Sequence, residues 1–258
     1  MRVIVVAAGL AAAALPLLAA PASSQNAAIV QRPTLTETAY TAPRGMLEFD
    51  GGLLLGEDLV ETPATLRYGI VHGAELMAAV SPIVIHNSGE PNERSGIGDL
   101  AFGGKIWFAE QGASLPALAA QAMVKVPTGE DAVSSGEADL SFTAIGSRQY
   151  RSLVADLNVG LDFLGRDELD GDHVFDEQWR AGASAVWKPA TPFWYVAELF
   201  GRFVPDADID DIVLNLGLLY GVDDTFLLDG AVRLGVTEDA SNVAFTFGLT
   251  KLFGAVAD

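Results

Sequence analysis

Residues 156–165 read DLNVGLDFLG. Asp156, Asn158, Gly160 and Asp162 share one side of a two-residue period, and Leu157, Val159, Leu161 and Phe163 share the other. An extended strand sends successive side chains to opposite faces. This strand therefore has one oily face and one face that wants water. In a soluble sheet the oily face covers a core. In a membrane barrel it meets lipid, and the acids meet a wet lumen.

The same rhythm recurs along the chain after residue 45. Leu66, Tyr68 and Ile70 alternate with Thr65 and Arg67, and Leu100, Phe102, Ile106 and Phe108 with Asp99, Ala101 and Lys105. Later, Phe226, Leu228, Val232 and Leu234 alternate with Asp229 and Arg233, and Val243, Phe245 and Phe247 with Ala244, Thr246 and Gly248. About twelve such runs occur, each near the roughly 9–11 residues that cross a bilayer at a tilt. No stretch keeps a helical period over many turns. After Ala20 no segment approaches the roughly 20 unbroken apolar residues of a membrane helix. A chain of this kind can enter a membrane only as a closed barrel, because only helices and closed barrels satisfy their backbone groups in lipid.

The connections separate into two classes. Alternate connections, 57–61, 81–96, 127–137, 165–177, 204–211 and 237–241, are mostly long. Together they hold 20 acids against two bases, Arg94 and Arg166. The others, 71–73, 109–114, 147–152, 188–192 and 222–224, are mostly short and hold three acids and three bases. Sorting of acid to alternate connections is expected of a barrel with one end outside the cell, and a soluble sandwich has no reason for it. The expected fold is an all-β, closed antiparallel transmembrane barrel of about 12 strands, spanning residues 45–253 with a tail at 254–258.

Arg2, the apolar run Val3–Ala20 and the small-x-small sequence Ala20-Pro21-Ala22 predict a signal peptide over residues 1–22, cleaved before Ser23. The segment 23–44 is less regular and reads as a periplasmic leader or a short plug. There are no cysteines, so thiolate catalysis, disulfides and cysteine zinc sites are all excluded. Loss of residues 1–22 removes one base, Arg2, and no acid. That leaves 34 acids against 14 bases, which argues against a nucleic-acid partner.

The inward register collects the candidate functional residues. Its acids are Glu48, Asp50, Glu75, Asp99, Asp139, Asp156, Asp162, Glu198 and Asp229. Its bases are Arg67, Lys105, Lys125, Arg180, Arg202 and Arg233, and Asn158 adds a neutral amide. They predict a polar, lumen-lining set whose charge would set selectivity. The competing reading is internal ion pairing that fills a narrow barrel, since eight strands leave a lumen just filled by side chains and 16–18 leave an open channel.

Catalytic and metal signals are weak. His86 with Ser88 or Ser95 is the one tempting cluster, but it lacks a third group to orient the base. The acids of 166–172 and 206–211 miss the EF-hand spacing and read as a solvated rim facing lipopolysaccharide. No cofactor is expected. Trp107, Trp179, Trp187 and Trp194, with Tyr68, Tyr195 and Tyr220, suit interfacial girdles, although Trp107 falls on the inward register and would constrict the lumen.

The segments ETPATLRYGIVHGAELMAAV (61–80), GIGDLAFGGKIWF (96–108), KVPTGED (125–131) and ADLNVGLDFLG (155–165) resemble the outer-membrane transporter family named for the meta-pathway of phenol degradation. The similarity runs from about residue 40 to Phe253. It implies an outer-membrane barrel that passes small, often hydrophobic or aromatic compounds. No catalytic residues come with it. FTFGLTKLF (245–253) ends on an aromatic, as last strands of such barrels do, although GAVAD follows. The leading expectation is a passive channel in the outer membrane. Its partners would be lipid, lipopolysaccharide, the barrel assembly machinery and a small solute. A structural or surface-interaction barrel with a plugged lumen is the alternative, and an outer-membrane acyl hydrolase a more distant one.

Overall fold

The structure is a computed structural model that describes residues 31–86, 94–167, 173–205 and 209–254. The alternating runs form strands β1 (Leu47–Leu55), β2 (Leu59–Glu61), β3 (Ala64–Val71), β4 (Ala74–Val80), β5 (Val84–His86), β6 (Arg94–Gly96), β7 (Leu100–Ala109), β8 (Ala117–Val126), β9 (Asp139–Tyr150), β10 (Leu153–Asp167), β11 (His173–Trp187), β12 (Phe193–Val204), β13 (Ile209–Asp223), β14 (Phe226–Gly235) and β15 (Val243–Phe253). All but β2, β5 and β6 build a wall of 12 antiparallel strands. The wall closes where β15 pairs with β1, from Leu47↔Phe253 to Leu55↔Phe245. Closure removes both sheet edges, which lipid requires because it offers no partner to a free N–H or C=O.

The three short strands form a lip at the long-loop end. β2 pairs with the last residues of β1, β5 with β2, and β6 with β5. The stretch 81–96, expected as one loop, thus carries two strands. The lip also separates the members of the candidate hydrolase cluster. His86 stands opposite Arg94 and Ser95 opposite Ile85, so the side chains of His86 and Ser95 leave on opposite faces. Ser88 lies outside the described residues, as do residues 1–30 with the expected signal peptide, most of the acidic stretch 166–172 and half of 206–211.

The register assigns the faces. Leu157 and Val159 are 46% and 55% exposed, whereas Asp156, Asn158 and Asp162 are at most 7% exposed. Exposed apolar side chains on neighbouring strands, among them Phe142, Phe102, Leu216 and Phe247, continue the same outer face. In the opening stretch the oil is outside and the acid inside.

Two connections are shorter than expected. β10 and β11 stay paired to Asp167↔His173, which takes most of the expected loop 165–177 into the wall. Arg166 there bonds Asp176 across the pair. The expected turn 147–152 shrinks to two residues, with Arg151 at φ 53°. Polar composition had marked these ends as loops, but a backbone ladder can run past the membrane whatever the side chains are. Trp194 departs from the girdle expectation: it is 6% exposed and faces inward, because it shares the register of Glu198. Tyr68, Tyr195, Tyr220, Trp179 and Trp187 are exposed on the outside. Lys251, on the outward register, reaches the turn end, where it donates to Thr225 Oγ1 at 2.8 Å.

Replacement of Val159 by Arg places a charge on the lipid face and is expected to destabilise the barrel by about 2–4 kcal/mol if the site lies near the midplane. Denaturant unfolding in lipid vesicles measures this, and an unchanged stability would contradict the assigned face.

Candidate functional site

The lumen is occupied by the chain itself. Residues 31–46 precede β1 and run round the inside of the wall. Their peptide groups need partners there as much as they would in any buried place. For residues 31–42 those partners are inward side chains, met strand by strand, whereas the end of the segment bridges to the backbone of β3, with Gly45 N–H donating to Gly69 O at 2.7 Å and Gly69 N–H to Met46 O at 3.1 Å.

Beside β3, the carbonyls of Ala42 and Pro43 pass so close to Gly69 that a Cβ would sit 2.2 Å from Pro43 O. Glycine is required at that crossing. Ala42 N–H donates to Glu75 on β4 at 2.6 Å, and Lys105 Nζ on β7 donates to Thr38 O at 3.0 Å. Ala39 packs on Ala117 and Ala119 of β8 and Ile145 of β9, and its N–H donates to Ser147 Oγ at 2.7 Å. Asn158 on β10 makes a two-way bond with Glu37, accepting its N–H at 2.7 Å and donating to its carbonyl at 2.8 Å. Glu198 on β12 accepts the N–H groups of Leu35 and Thr36 at 2.6–3.0 Å. Asn215 on β13 donates to Pro33 O at 3.0 Å. Arg32 ends the circuit on Asp229 of β14 and on Thr246 and Phe247 O of β15. Its guanidinium lies where a Cβ on Gly52 or Gly248 would clash.

The charged candidates divide into three groups. Glu48, Asp50, Arg67, Glu75 and Lys105 form a buried network with Glu37 of the inner segment. Arg67 pairs with Asp50 and Glu37, and Lys105 with Glu75 at 3.0 Å. Acids and bases buried this deeply persist only when paired and bonded. Asp156, Asn158, Glu198 and Asp229 hold or border the segment. Asp156 meets no base within salt-bridge reach among the described residues; its partners are Ser147 and Ser184. Towards the long-loop end the pairs are local. Arg180 bonds Asp162 at 2.7 and 2.8 Å, and Arg202 pairs with Asp211. Lys125 pairs with Asp139 at 2.7 Å and with Asp99 at 3.5 Å. Arg233 reaches Pro33 O at 3.5 Å.

Asp99 anchors loop 127–138 by accepting from Thr128 N–H, Gly129 N–H and Ser134 Oγ at 2.8–3.0 Å. Burial pushes its pKa up, but these donors and Lys125 outweigh burial and hold it below the usual carboxylate value. A depressed carboxylate stabilises fully above its unfolded pKa and loses that contribution as pH falls through the folded value. Loop 127–138 should therefore be cut by an acid-active protease progressively faster as pH drops below the ordinary carboxylate range. Asp99→Asn should be cut faster than the wild type at neutral pH already, read there with a protease active at neutral pH.

Sequence reasoning missed two parts of the lumen. The first is the inner segment's own contribution, through Arg32, Glu37 and Thr38, with the neutral receptors Ser147, Asn215 and Thr246. The second is an apolar lining at the short-turn end. Val186, Trp194, Val196, Leu219 and Leu227 form an inward cluster, with Val154 against it. Inward parity on their strands could have exposed the second. Nothing local could have exposed the first, because each contact joins residues far apart in the chain.

Glu198→Ala orphans the Leu35 and Thr36 N–H groups, and each buried donor left unpaired costs about 1–3 kcal/mol. The expected result is faster proteolytic cleavage within residues 31–42, with the strand wall still formed. Equal cleavage rates would show that Glu198 does not hold the segment.

Comparison with known proteins places this lumen in context. The family model described as "Putative MetA-pathway of phenol degradation" matches residues 31–252, so it takes in the inner segment as well as the wall. Among solved structures, the COG4313 outer membrane channel from Pseudomonas putida F1 is similar at TM-score 0.67 and 14% identity, over 83% of this chain and 98% of that one. The NanC porin is similar at TM-score 0.59 and 12% identity, over 80% of this chain and 98% of that one. The KdgM porin in complex with disordered oligogalacturonate is similar at TM-score 0.57 and 11% identity, over 81% and 99%. At these identities the likeness is one of fold. No protein of curated function matches the chain.

Proposed function

The chain belongs to the family of that description, and we propose on that premise that it is a passive outer-membrane channel for small molecules, with no covalent chemistry of its own. The observation that carries this reading is a closed wall around a polar lumen, with residues 31–42 of the inner segment held by side-chain bonds and not by sheet pairing. Side-chain bonds of this kind contribute about 0.5–1.5 kcal/mol each between neutral groups and about 1.5–3 kcal/mol to a charged one. The segment can therefore shift while the wall stays intact. The charged walls impose selectivity, and the acidic loops would draw cations towards the outer mouth at low salt.

The circuit of bonds also favours a second reading, a surface barrel whose lumen stays shut. One experiment separates the two. Folded protein in planar bilayers should give small, discrete conductance steps, and deletion of residues 23–42 should enlarge them several-fold. A silent full-length protein with a conducting deletion variant would establish the shut barrel. Silence from both would remove the channel altogether.

A further inference from the structure

A cavity of about 390 Å³ lies at the short-turn end, between the 188–192 turn and the end of β13. Its inner wall is Trp194 and Leu227, backed by the rest of the inward apolar cluster. That volume falls in the range of small-molecule sites, roughly 300–1,000 Å³.

One charged group of the cavity lacks a polar partner. Lys188 Nζ sits 4.5 Å from the Trp194 ring centroid. Among the described residues it has no salt bridge within 4.0 Å and no side-chain hydrogen bond. The carboxylate that might have served, Asp223, accepts instead from the N–H and hydroxyl of Thr225, each at 2.7 Å. Asp224 is exposed at the rim. Burial pushes the Lys188 pKa down, against the pull of Asp156. A partly desolvated ammonium gains most from an anion brought to it. The ring face holds the cation in place but cannot neutralise it.

The geometry points to a binding site for a small organic anion with an apolar body, at the end of the lumen from which solute would leave. The anion, a carboxylate or phenolate, meets Lys188. The apolar body lies on Trp194 and Leu227. This rests on the channel reading for its place on a solute's path, but the site can be tested by binding alone. It narrows the solute class to weak organic acids, which neither the acidic loops nor the overall charge of the chain would suggest.

Benzoate is the probe, and benzyl alcohol its neutral counterpart. Binding is measured by equilibrium dialysis with protein folded in a non-ionic detergent, its fold checked by heat-modifiable migration. Saturable benzoate binding is expected, and benzyl alcohol should bind at least about 10-fold more weakly, as loss of one bond to a charged group implies. Lys188→Met and Lys188→Gln should lose benzoate affinity by a similar factor without changing benzyl alcohol binding, and Lys188→Arg should retain it. Absence of saturable benzoate binding, or equal affinity for both probes in the wild type, would overturn the site even if no variant folds. So would unchanged benzoate affinity in Lys188→Met. Bilayer recordings on the same preparation keep the two readings apart. Normal conductance without benzoate binding removes only the site, and Lys188-dependent binding in a silent barrel removes only the channel.

Discussion

Every peptide group of this chain must find a hydrogen-bond partner, and the two surroundings it meets force two solutions. In lipid no partner comes from outside, so the strands pair with one another and the sheet closes through β1 and β15. Inside the barrel, residues 31–42 cannot join a sheet already closed. Their N–H and C=O groups turn to Glu75, Lys105, Ser147, Asn158, Glu198 and Asn215. The wall depends on the first solution and the content of the lumen on the second.

This changes what the inner charges do. A set of acids and bases on one register looks, from sequence, like a selectivity lining. Much of it is already engaged. Glu198 accepts peptide N–H groups, Arg67 and Lys105 are shared among four carboxylates, and Arg32 takes up Asp229. Pairing of this depth is what allows residues such as Glu48 and Lys105 to be fully buried. The lumen also differs along its axis. Local ion pairs line the long-loop end, the buried network around Arg67 and Lys105 lies beside the inner segment on β1, β3, β4 and β7, and an aliphatic and aromatic cluster faces inward at the short-turn end of β11 to β14.

Much of the wall was legible because its signal is local. Period two in DLNVGLDFLG and its relatives reports which face meets oil. Strand ends were less legible. Arg166 and Asp176 look like loop residues yet pair within the ladder, since hydrogen bonding between backbones is blind to side-chain polarity beyond the membrane. Trp194 looked like a girdle residue because composition alone cannot tell an inward aromatic from an outward one; its parity with Glu198 could have. The inner segment was legible only as an irregular stretch. Glu37 finds Asn158 121 residues away, and Arg32 finds Thr246 214 residues away. No window along the chain holds both partners.

The two kinds of bonding differ in how they can fail. A wall strand shares a continuous ladder with both neighbours, and losing it exposes a row of peptide groups to lipid at several kcal/mol for each unsatisfied group. The inner segment is attached at separate points, so its bonds can be lost one at a time. Release of Leu35 and Thr36 from the Glu198 carboxylate costs about 1.5–3 kcal/mol per bond, the range for bonds to a charged group. A barrier built this way is much weaker than the wall that contains it. The lumen can therefore rearrange without endangering the fold, which a passive route through a barrel of this size requires.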